Sequence, residues 1–253
     1  VCFQTQKAPF DDPKVRKAFS LAIDRTYIVN QVTQSGQVEA GGFVPAGVYD
    51  AEGATGDDFR TVGGDYYKPT DADYEANCEE ARALLAEAGY ENGEGFPVVE
   101  YLYNTSDAHK AVAEALQYMW EEELGVKVTL NNQEWAAFLQ TRKDGDYSIA
   151  RNGWIADYND PISFLDMWMT GGGNNDAQYS NEEYDSLIKE AKTTTDVKER
   201  MELLHKAEDK IIGEDNALAP LYFYTQKYML ADGIEGMYYC PLGYFFFGYT
   251  HQA

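Results

Sequence analysis

Between residues 97 and 151 the apolar pattern switches back and forth between two periods, and that alternation limits the fold more than any other feature of the chain. Residues 97–103 read as a strand. Residues 107–124 place Val112, Ala115, Leu116 and Met119 on one helical face and stop at Gly125. Val126, Val128 and Leu130 then alternate with Lys127 and Thr129, which is strand spacing. A short helix over 135–143 and a third strand over 147–151 follow. Strand–helix–strand–helix–strand with short joints predicts an α/β body with parallel pairing and right-handed crossovers.

The flanks extend this plan. Asp12-Pro13 opens a helix, with Val15, Ala18, Phe19, Ala22 and Ile23 on its buried face. Residues 41–70, rich in Gly, Asp and Tyr, read as a long surface loop. A helix from about residue 75 turns Cys78, Ala81, Leu85 and Ala88 inward and ends at Gly89. Helices near 181–193 and 197–212 precede strand-like segments at 219–224 and 227–230. Residues 11–224 therefore form one α/β lobe. Residues 1–10 and the aromatic tail, part of a stretch over 225–253, lack an evident home in it.

A net charge of −23 argues against nucleic acid as a partner, because phosphate contacts need clustered Lys and Arg. No apolar run reaches the roughly 18–20 residues of a membrane span. Cys2, Cys78 and Cys240 are odd in number and widely spaced, which indicates neither a disulfide framework nor a zinc site. Nothing suggests a cofactor. The chain opens without Met or a signal peptide and reads as a piece of a longer protein.

The chemistry concentrates in residues 131–161, NNQEWAAFLQTRKDGDYSIARNGWIADYNDP. Arg151 lies at the carboxyl end of the third strand, where open parallel sheets bind ligands. The turn Trp154-Ile155-Ala156-Asp157-Tyr158 should line the same crevice. A guanidinium there suits a carboxylate and a nearby aspartate suits an ammonium, the two ends of a free peptide.

This run, with TQKAPFDDPKVRKAFSLAIDR (5–25), GGFVPAGV (41–48) and KAEDKIIGEDNALAPLYFY (206–224), resembles the C-terminal lobe of the extracytoplasmic oligopeptide-binding proteins, family 5 of the solute-binding proteins of peptide ABC transporters. The resemblance implies a periplasmic-binding-protein-like (type II) lobe, its sheet mainly parallel, with crossover strands at both ends, 1–10 leading to an N-terminal lobe. It implies a receptor that is not an enzyme, works outside the cytoplasm on a lipid anchor, binds oligopeptides with little side-chain selectivity and delivers them to a membrane permease. Carried over residue by residue, the family's amine-binding aspartate falls on Asp157 and its carboxylate-facing arginines on Arg151 and Arg142. Tryptophans walling side-chain pockets fall on Trp135 and Trp154. Tyr224 and Asn174, in GGGNN, match further residues near the peptide. The tail PLGYFFFGYTHQA follows the family pattern only loosely.

Each residue also has a plainer reading. Asp157 reads as a cap for the helix starting near Pro161, Arg142 as a surface charge, and Arg151 as a structural partner of Asp157. The tryptophans read as core, Asn174 as a turn former and Tyr224 as sheet packing. Another solute on the same fold, such as a dipeptide, oligosaccharide, nickel complex or haem, is a second reading. Asp157 with Asp160 as a glycosidase pair is remote, since three residues apart on a turn they read as an amine ligand and a helix-start residue. The histidines form no triad, with His109 and His205 on separate helices and His251 near the end.

Overall fold

The computed structural model describes residues 1–67, 71–240 and 243–253, with the backbone alone at 71 and 72. In chain order, β1 (Cys2–Phe3) leads to α1 (Pro13–Leu21) and α2 (Arg25–Tyr27), which runs on as a π-helical turn over Ile28–Thr33. β2 (Val38–Glu39) and α3 (Phe59–Gly63) precede α4 (Asp71–Glu87). The alternating unit is β3 (Val99–Asn104), α5 (Asp107–Leu124), β4 (Val128–Gln133), α6 (Trp135–Lys143) and β5 (Ile149–Ala150). It is followed by α7 (Ile162–Leu165), α8 (Glu182–Thr193), α9 (Val197–Glu208) and β6 (Tyr222–Phe223). The tail carries β7 (Ile234–Glu235), β8 (Tyr238–Cys240), β9 (Tyr244–Phe246) and β10 (His251–Gln252), paired β7 with β10 and β8 with β9.

The central sheet has the order β1-β5-β3-β4. β3 runs parallel to β4 and to β5, as the alternation predicts, while β1 adds an antiparallel edge on β5. Local chemistry explains the helix limits. The Asp12 side chain accepts the Lys14 N–H ahead of Pro13, Ser106 caps α5 through the His109 N–H, and Gly125 ends α5 in the left-handed conformation at φ 67°. All five residues expected on the inner face of α1 are buried.

Four expectations need correction. Residues 1–10 do have a home: Cys2 and Phe3 are fully buried in the edge strand, and Phe3 stacks on Phe10 while Phe19 meets both edge-on, with centroids 5.0–6.4 Å apart. The 219–224 segment shrinks to β6 and pairs with β2 instead of the central sheet. Its approach, Ala217–Ala219, instead bonds to β1 (Phe3 N–H to Ala217 O, 3.3 Å). Residues 227–230 form no strand; among the described residues no backbone hydrogen-bond partner faces them, and Met229 is almost fully exposed. The expected 41–70 loop contains α3, with Phe59 buried, and its residues 68–70 lie outside the described set, as do 241 and 242 of the tail.

Candidate functional site

A cavity of about 620 Å³ opens just past the end of β5. One wall is the loop from Ala40 to Val48, which contributes Phe43, Pro45 and Val48. Phe164 and Trp168 pack edge-on against Phe43 at 5.9 and 5.6 Å and join that wall to the rest of the lining. The lining is completed by Tyr101 of β3, His109 of α5, the Leu218–Gln226 segment, and the turn that carries Arg151, Trp154, Ile155, Ala156 and Asn159.

Arg151 continues the β5–β3 ladder, donating its N–H to Leu102 O at 2.8 Å. Its guanidinium lies over Gly153, where a Cβ would approach Nη2 to 3.2 Å, so glycine leaves it room. Among the described residues no carboxylate comes within ion-pairing distance of it. No Asp or Glu lines the cavity either, in a chain with 43 acidic residues. His109 faces the same charge. Its burial, and then the Arg151 cation, hold the imidazole below its ordinary range.

Asp157 is exposed, between the lining residues Ala156 and Asn159. Its backbone N–H donates to Ser163 Oγ at 2.9 Å, while its carboxylate has no hydrogen-bond or ion-pair partner among the described residues. The capping role offered for Asp157 falls instead to Asp160. Its Oδ1 accepts the Ile162 N–H at 2.9 Å, and its two oxygens accept a fork from Arg200, also at 2.9 Å each. Trp154 is half-buried and donates Nε1–H to Ser163 O at 2.7 Å. The turn is thus pinned to α7 and α9 while its aspartate stays free.

Arg151, Trp154 and Tyr224 are brought together in the lining, with Asp157 beside it. Four other expected residues stand outside the cavity wall. Arg142 is buried, with Nε 2.9 Å from Asp176, and it donates to Arg151 O and Asn152 Oδ1 at 3.1 and 3.2 Å. Trp135 is exposed and stacked on Phe138, and Tyr158 is exposed. Asn174 is exposed too; the neighbouring Asn175 is the buried amide, bonding Trp168 O, Met169 O and Tyr179 O and so holding the Trp168 segment in place. The sequence reading missed His109, Phe43, Phe164 and Trp168. His109 was within reach, because it sits in the first turn of the helix that follows β3, at the sheet end where Arg151 was sought.

Residues 1–176 match the model of the bacterial extracellular solute-binding proteins, family 5 Middle. The dipeptide-binding protein DppE of Bacillus subtilis is 38% identical over 244 residues, covering 96% of this chain and 43% of that protein. The periplasmic oligopeptide-binding protein OppA of Salmonella typhimurium is 39% identical over 231 residues, covering 91% and 40%. The crystal structure of Haemophilus influenzae OppA in complex with RPPGFSPFR has a TM-score of 0.76 at 33% identity, covering 93% of this chain and 44% of that one. The chain thus spans about two fifths of the length of the curated relatives it matches.

Proposed function

Since the chain belongs to the bacterial extracellular solute-binding proteins, family 5, we propose that it forms the C-terminal lobe of a receptor that binds oligopeptides with little side-chain selectivity. That receptor works outside the cytoplasm and delivers its ligand to the permease of an ABC importer. The observation that carries the reading is Arg151, a guanidinium without an ion-pair partner among the described residues in an acid-free aromatic cavity, with Asp157, itself outside the lining, on the turn that forms part of the wall. Arg151 takes the peptide carboxylate, with His109 next to it, and Asp157 takes the α-ammonium. The peptide main chain pairs with protein backbone as an added strand, which gives affinity without reading side chains. Phe43, Trp154, Trp168 and Tyr224 pack the side chains.

A partner lobe closes over the ligand by a hinge, with residues 1–10 and 225–253 as the connections. Trp135, Tyr158 and Asn174 are left exposed for that lobe to cover, and Arg142 acts through Arg151, whose carbonyl it holds. The relatives named for dipeptides and oligopeptides support the reading.

The test is calorimetry on the complete two-lobed receptor with free peptides. Losing one partner of a buried ion pair costs about 3–5 kcal/mol, so Arg151→Ala and Asp157→Ala should each weaken binding by about 10²–10³-fold. Unchanged dissociation constants for both variants would refute the reading. The acid-free lining also favours a second ligand class, an apolar solute with a single carboxylate. Such a solute needs Arg151 but not Asp157, so the two variants separate the classes.

A further inference from the structure

Asn159 stands two residues beyond Asp157 and belongs to the same turn, yet its side chain is spent on another segment. Its Oδ1 accepts the Tyr49 N–H at 2.8 Å and its Nδ2–H donates to Gly47 O at 3.1 Å. These two bonds tie the Asp157 turn to the 40–48 loop that forms another part of the cavity wall. That loop is itself held from the far side. Glu208, fully buried on α9, accepts the Phe43 and Val44 N–H groups at 2.8 Å and the Arg60 fork at 2.8 and 2.9 Å. The Gly47 N–H is taken by Asp58 at 2.6 Å. The wall is therefore held at several points, and among the described residues Asn159 is the side chain that hydrogen-bonds it to the turn. The other anchors of the turn, Ser163 and Arg200, join it to α7 and α9 and not to this loop.

We propose that Asn159 is the positioning residue for Asp157, fixing where the carboxylate meets the α-ammonium of a bound peptide; this rests on the peptide-receptor reading above. A side chain that only stabilises the fold would affect every ligand alike. A residue acting through Asp157 affects only ligands that carry the ammonium, because an N-acetylated peptide has no charge for Asp157 to hold.

The experiment compares one peptide in free-amine and N-acetylated forms, titrated into the complete receptor as wild type and as Asn159→Ala. Two neutral hydrogen bonds to an exposed amide set the expected loss at about tenfold for the free-amine form. Affinity for the acetylated form should fall clearly less, and in an Asp157→Asn background Asn159→Ala should affect the two forms alike. Equal loss for both forms, or no loss for the free-amine form, overturns the inference while leaving the receptor reading intact. A wild type that does not prefer the free amine removes Asp157 from the site, and the inference falls with it. Melting temperature without ligand is measured in parallel. A fall that accounts for the affinity change also counts against the positioning role.

Discussion

Replacing Arg142 by alanine should cost the chain measurable stability, whereas Arg151→Ala should cost almost none. The two arginines are nine residues apart in the order of the chain and both donate or lend backbone to the same corner (Arg142 Nη1–H to Arg151 O, 3.1 Å). Their surroundings are opposite. Arg142 and Asp176 are only 10% and 14% exposed, and Arg142 also packs its guanidinium 4.9 Å from the Phe138 ring centroid. Removing one member of such a pair costs about 3–5 kcal/mol, because the other charge is left buried. The low end applies here. The Nε–H lies 2.9 Å from Asp176 but out of line for a hydrogen bond, and burial pushes the Asp176 carboxyl above its ordinary range despite the attraction of Arg142. About 3 kcal/mol in a chain of this size lowers the melting temperature by roughly 6–12 °C. Among the described residues Arg151 has no ion-pair partner to abandon, so its truncation should stay within about 0.5 kcal/mol. Urea denaturation followed by tryptophan fluorescence reads both values, and a double-mutant cycle of Arg142→Ala with Asp176→Asn should show strong coupling. Equal losses for the two arginines, or an Arg142→Ala midpoint at the wild-type value, would refute the assignment of one to structure and the other to ligand.

Glu208→Ala should destabilise by about 3 kcal/mol, since it leaves the buried Arg60 guanidinium only Asp65 at 3.6 Å and Val44 O at 3.3 Å and removes the acceptor of the Phe43 and Val44 amides; a midpoint near that of the wild type would show the loop to be held elsewhere. Gly42→Ala should act through the same anchor, because its Cβ would fall 1.7 Å from Arg60 Nη1. Its cost should therefore be less than additive with Glu208→Ala in denaturant melts, and full additivity would contradict this. His109 should gain a proton when a carboxylate ligand arrives. Burial and Arg151 hold its pKa below 6.5 in the free protein, and an anion offsets both. Affinity should accordingly rise as pH falls through the raised pKa of the complex and level off below the depressed pKa of the free state. Calorimetry in buffers of different ionisation enthalpy measures that uptake; it should vanish in His109→Gln, and its absence from the wild type would exclude the coupling.

Much of the central unit was legible from residue order. The helices over 107–124 and 135–143 match expectation because capping by Ser106, arrest at Gly125 and the spacing of Val112, Leu116 and Met119 are local properties, decided within a turn or two of chain. The place of Arg151 at a strand's carboxyl end followed from the same periodicity. Partner choice was not legible. Twenty Lys and Arg residues face 43 Asp and Glu, and nothing in their order says that Arg142 is consumed by Asp176, that Asp160 takes Arg200, or that Arg151 and Asp157 are left free. The same holds for the cavity wall, where Glu208 reaches the Phe43 amide across 165 residues of sequence, and for β1, whose two residues carry no periodic signal yet complete the sheet. Caps and periods are set by neighbours in the chain. Pairing is a comparison of free energies among groups brought together only when the chain has folded, so it is the tertiary structure that decided which charges are structural and which remain available to a ligand.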